Sequence, residues 1–189
     1  MLALYDANIY ANPLDNCVVL VDASSLLWRL HLEGVPLGAR PAVVADVWRR
    51  RMSEERGYYA FNDLHATMAF CLANDRDQAR DLIEHLERTA PEIRSSNGEM
   101  TRNVGLPLMK AVLAFAEGDY ARTIELALPV RDRANTFGGS HAQRDVITLT
   151  VIEAALRSNR RSLARHLIAE RTTQKPESAW GWRLLARAD

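Results

Sequence analysis

Two histidines of this chain stand near carboxylates, His65 two residues after Asp63 and His141 four before Asp145. An imidazole titrates near neutral pH, and a carboxylate that orients it can make it a general base. Arg102 and Arg144 suggest a second chemistry, because each guanidinium presents a planar fork of donors. Two of them in one layer would clamp a carboxylate or a phosphate. Tyr59, Arg102 and Arg144 lie 15, 16 and 15 residues before Asn74, Gly118 and Asn159, so their positions correspond. Gly138-Gly139-Ser140 runs into a helix start, where free backbone N–H groups attract anions. The candidate ligand-binding set is therefore Tyr59, Asp63, His65, Arg102, His141, Arg144 and Asp145.

Each member also suits a structural role. Ser140 and Gln143 have capping-box spacing, which accounts for the Gly-Gly-Ser entry without a ligand. Arg144 and Asp145 can pair with Glu99 and Arg102 on an adjacent helix. Histidines near helix N-termini are poorly placed for positive charge, so neutral, hydrogen-bonded rings are expected. The chain has no His-Glu-x-x-His, no Gly-x-Ser-x-Gly, no phosphate-cradling glycine loop and no cysteine pair at metal spacing. The expectation is a protein without catalysis, metal or cofactor. The rival is a hydrolase-like enzyme using a His65, His141 and Asp145 cluster.

The elements that must hold these residues repeat. Three alanine-rich stretches, ending near Asn74, Gly118 and Asn159, each turn there into a second amphipathic stretch, at spacings of 44 and 41 residues. A helix pair at this period predicts an all-α fold, an α-solenoid of helical hairpins in which each unit buries its apolar face on the next. The pairs are expected over 61–73 with 77–89, 99–117 with 120–136, and 142–158 with 161–174, followed by a closing helix at 179–188. One domain, 1–189, divides into N-terminal helices (1–56), repeat pairs (57–94, 95–137, 138–176) and a cap (177–189). Ahead of the pairs, a short helix over 2–10 ends at Asn12-Pro13. Asp15 or Asn16 opens a helix reaching Leu32 and closed by Gly34, and Pro41 suits the first turn of another. Pro107 and Pro129 should bend their helices, or Pro107 starts a new one.

Lys plus Arg equals Asp plus Glu at 24 each, so no net field draws nucleic acid or anionic membrane. The Arg49-Arg50-Arg51 run is followed by Glu54 and Glu55, as on a solvated helix face. Cys17 and Cys71 sit in apolar segments and read as free thiols of a reducing compartment. No apolar run approaches membrane-spanning length, and a cytoplasmic protein is expected.

Four strings in order, Leu20-Val21-Asp22-Ala23-Ser24-Ser25-Leu26-Leu27-Trp28-Arg29-Leu30, Gly57-Tyr58-Tyr59-Ala60-Phe61-Asn62-Asp63-Leu64-His65-Ala66, Met100-Thr101-Arg102 through Gly105-Leu106-Pro107-Leu108, and Phe137-Gly138-Gly139-Ser140-His141-Ala142-Gln143-Arg144-Asp145, carry a resemblance to the tetratricopeptide repeat protein 38 family. The resemblance covers the whole chain, as a C-terminal portion of such proteins. It implies tetratricopeptide-like repeats and no established activity. First helices of stacked pairs line the concave surface of such arrays, which is their ligand face. The expected function is thus a scaffold binding a protein or peptide, or a small anionic ligand, in that groove. A further alternative is a purely structural homodimer formed through the N-terminal helices.

Overall fold

The computed structural model describes residues 2–10, 14, 16–92 and 94–188, without the Tyr10 side chain. Every regular element among them is a helix. The Asn12-Pro13 turn and Asp15 lie outside the described residues.

Local signals place the helix ends. Asn16 caps α2 (Cys17–Leu32), its side chain accepting from Val18 N at 2.9 Å. Gly34 closes that helix at φ 72°. The same closure recurs at each turn the repeat pattern marks. Asn74, Gly118 and Asn159 take φ of 60°, 83° and 56°. After each, the next N–H reaches back five residues: Asp75 to Phe70 O, Asp119 to Ala114 O, and Arg160 to Ala155 O. A left-handed residue followed by this bond satisfies the last carbonyls of a helix and reverses the chain. The pairs that result are α4 (Ala60–Leu72) with α5 (Arg76–Thr89), α7 (Leu106–Ala116) with α8 (Tyr120–Ala127), and α9 (His141–Arg157) with α10 (Arg161–Gln174).

The two prolines behave differently. Pro107 falls in the first turn of α7, where a missing N–H costs little. It follows a π-helical turn, Thr101–Gly105, that joins α7 to the short α6 (Ser96–Met100). Pro129 ends α8 instead of bending it, and Arg131–Phe137 continues as a 3-10 helix. The helix expected over 120–136 is therefore two pieces, because the ring removes a donor and clashes with the preceding turn.

Ahead of the pairs lie α1 (Leu2–Tyr5), extended by the π turn Asp6–Tyr10, then α2 and α3 (Arg40–Glu55). Asp6 is tied to Arg40 at 2.6 Å. Helix α4 packs on α7 and α7 on α9, while α5 and α8 pack on the following α7 and α9. Helix α2 packs on α3 and lies across both α4 and α9. Its Trp28 is fully buried, donating from Nε1 to Thr150 Oγ1 at 2.9 Å and meeting the Phe115 ring at 5.7 Å. From the other side Trp48 Nε1 donates to Ser24 Oγ at 2.8 Å. These bonds let two large indoles be buried with their polar atoms satisfied. Helix α2 thus reaches from α4 to α9, with Trp28 meeting Phe115 of α7 between them. Last comes α11 (Ala179–Ala188), packed on α10. Among the described residues, no helix is long and apolar enough to cross a membrane.

Candidate functional site

Asp63 and His65 belong to α4 and are completely buried. Asp63 Oδ1 accepts from Gly57 N at 3.1 Å, fastening the turn that leads into α4, and Oδ2 has no partner. Burial pushes the carboxyl up to about 7, against the smaller effect of the Gly57 bond. His65 Nδ1 lies 2.7 Å from Phe61 O, and its ring packs on Phe61 with centroids 4.4 Å apart. Nε2 has no partner. Burial lowers this imidazole to about 4, with Arg29 adding to the effect and the Phe61 bond opposing it. At neutral pH the ring is neutral and sealed from solvent.

The arginines serve backbone carbonyls. Arg102 donates to Ala90 O, and Arg144 donates to Gly138 O and Gly139 O. Asp145 is gripped by Arg171, whose Nε and Nη2 lie 3.1 and 3.0 Å from its two oxygens, and by Lys175 at 3.0 Å. Burial raises the Asp145 carboxyl, but the Arg171 and Lys175 bonds outweigh it and hold it below the usual carboxylate value. The pairing of Arg144 and Asp145 with Glu99 and Arg102, weighed from the sequence, is replaced by these contacts. The capping box forms in full: Ser140 Oγ accepts from Gln143 N, and Gln143 Oε1 accepts from Ser140 N. His141 stands exposed in the first turn of α9.

Part of the set does converge. Tyr59 and Phe61, 6.0 Å apart, approach the Gly138-Gly139 corner that Arg144 holds. A Cβ on Gly138 would overlap the Tyr59 hydroxyl, and one on Gly139 would come within 2.5 Å of Phe61 Cε2. Both glycines also have positive φ, 99° and 75°. Beside this corner is an open recess of about 300 Å³ lined by Cys17, Val18, Tyr59, Phe61, Asn62 and Gly139. Val18 is 64% exposed there. His65 is hidden beneath Phe61, and Arg102 turns to the end of α5.

Sequence reasoning missed Arg29. It donates to Ala142 O at 2.6 Å and Gln143 O at 3.4 Å, joining α2 to the first turn of α9. It also missed Arg171, which is 6% exposed and stacks over Trp180 at 5.5 Å. The only sequence clue to Arg171 is a charge on the otherwise apolar side of α10. Among the described residues, no group of three or more His, Cys, Asp or Glu is placed to hold a metal ion. No family model matches the chain, and no solved structure matches it.

Proposed function

We propose that this chain is a tetratricopeptide-like α-solenoid module, of the tetratricopeptide repeat protein 38 type, that binds a segment of a partner protein and performs no chemistry. The three helix pairs reversed by one bond pattern support the repeat reading. The observation that carries the binding reading is the recess at Val18, Tyr59 and Phe61. There an aliphatic residue of α2 stays 64% exposed in a recess that Tyr59 and Phe61 also line, while Trp28 and Leu27 of the same helix are fully buried. The recess suits an apolar side chain of the partner. Arg144, at its Gly138-Gly139 wall, and exposed His141 would favour a partner carboxylate close by. On this reading α2 would take the groove in which ligands of such arrays lie, and recognition would be confined to its open end.

The hydrolase reading has less support. A general base needs a carboxylate partner and a route to substrate. His65 bonds a carbonyl instead and is fully buried, and Asp145 is engaged by Arg171 and Lys175.

Selection of random peptides displayed with free C-termini on the immobilised protein tests the proposal. Enriched peptides should carry a bulky apolar residue near a carboxylate and lose binding to Val18→Glu and Tyr59→Ala. Trp182→Glu, on the distant α11 and 56% exposed in the parent, should bind normally. Peptides that bind Val18→Glu as well as the parent would refute the site.

A further inference from the structure

A second pocket, of about 340 Å³, lies at the opposite end of α2. Its walls are Trp28 and His31 of α2, Leu37 and Pro41 from the segment entering α3, Cys71 at the end of α4, and Arg76 at the start of α5. None of the other lining residues is acidic. Arg76 makes no ion pair with any described residue: Nη2 donates to Ala116 O at 2.9 Å, and Nε is buried without an acceptor. Arg131, Arg157 and Arg171 stand against carboxylates, whereas Arg29, Arg102 and Arg144, like Arg76, donate to backbone carbonyls. Burial, reinforced by Arg157 and opposed by Glu153, lowers the His31 imidazole, whose ring lies 5.6 Å from Trp28 and 6.3 Å from Phe115. Burial also pushes the Cys71 thiol up to about 12, so the thiol stays protonated. Arg76 is therefore the pocket's single charge at neutral pH.

We propose that this pocket is a binding site for a small organic monocarboxylate. The carboxylate would accept from the Nη–H donors of Arg76 that Ala116 O does not take, end-on, in a geometry guanidinium also offers. The hydrocarbon body would lie against Val35, Leu37 and Leu72, with His31 forming one side. The wall chemistry sets the ligand class. One cation balances one carboxylate, whereas a second carboxylate or a phosphate dianion would be desolvated without a partner. A neutral isostere such as an amide offers one uncharged carbonyl oxygen in place of the carboxylate's two charged ones, so it meets fewer donors and bonds them more weakly. This site is separate from the Val18 recess and stands without it.

Calorimetric titration of the intact protein at pH 7 with benzoate and with hexanoate tests the assignment. Benzamide, succinate, inorganic phosphate and a tetrapeptide with a free C-terminus serve as comparisons. Both monocarboxylates should bind, and each should bind better than every comparison ligand. Arg76→Lys keeps the charge and one donor to Ala116 O but loses the fork, so affinity should fall roughly tenfold or more. Leu37→Trp, in the partly exposed segment that enters α3 and packs against the core's edge, should block the pocket while circular dichroism shows the helical fold intact. Benzamide binding as tightly as benzoate, stronger binding of phosphate or the tetrapeptide, or undiminished benzoate binding to folded Arg76→Lys or Leu37→Trp would each overturn the proposal. Absence of benzoate and hexanoate heat at millimolar ligand would do the same.

Discussion

Asp63 and His65 are both buried on α4, yet they bias stability in opposite directions. Asp63 moves from its ordinary 3.8 to about 7, so the fold prefers its protonated form. Its stabilising contribution is complete below pH 4 and is lost as pH rises toward 7. His65 moves from 6.5 to about 4, so the fold prefers the neutral ring. Its contribution is complete above pH 6.5 and is lost as pH falls toward 4. Across that shared window the two slopes oppose each other. Asp63→Asn leaves only the histidine slope, so urea midpoints of this variant should rise from pH 4 to 6.5 more steeply than those of the parent. Removing the ionisable carboxyl should also raise stability at pH 7 by on the order of a few kcal/mol. A parent profile parallel to that of Asp63→Asn would mean that Asp63 is not shifted. The sequence exposed both residues as candidates but hid their burial. A polar residue on the inward side of a helix looks the same whether a groove or another helix lies opposite.

Helix boundaries were the most legible feature, because they depend on local chemistry. Asn16, the Ser140–Gln143 box and the three left-handed turns all act within a few residues, and each stands where its residue types place it. Ser140→Ala should therefore cost about 1 kcal/mol in urea unfolding, the usual loss of an N-cap. Asn159→Ala should destabilise by a similar amount, since a Cβ without a compensating polar group disfavours φ of 56°. Asn159→Gly should be close to neutral. The fate of Pro129 was less legible, since a bend and a break begin from the same lost donor. The Gly138-Gly139 corner needed the fold to explain it, because its constraint comes from Tyr59 and Phe61, nearly 80 residues away in the chain. Gly138→Ala should be severely destabilising. Part of that loss should be recovered in Gly138→Ala/Tyr59→Phe, which removes the overlapping hydroxyl, and a double-mutant cycle in urea reads the coupling directly. Additive costs would show that backbone strain alone is responsible.

At the scale of the whole molecule, the decisive feature is the position of α2. The repeat period predicts three first helices side by side, and α4, α7 and α9 do pack in that order. Nothing local says that α2 crosses them, because the contacts that hold it, Trp28 to Thr150 and Arg29 to Ala142, span more than a hundred residues. This packing seals His65, confines one recess to the α2 N-terminal end and shapes the Arg76 pocket at the other. Trp28→Ala should cost about 3–5 kcal/mol, as for a large buried aromatic. Native-state hydrogen exchange by mass spectrometry tests the arrangement most directly. Amides of Leu20–Leu30 should exchange as slowly as those in the middle of α4 and α9, with one opening free energy for all three helices. Exchange of α2 orders of magnitude faster, with α4 and α9 still protected, would show that it is a detachable cover over an open groove and would contradict the account.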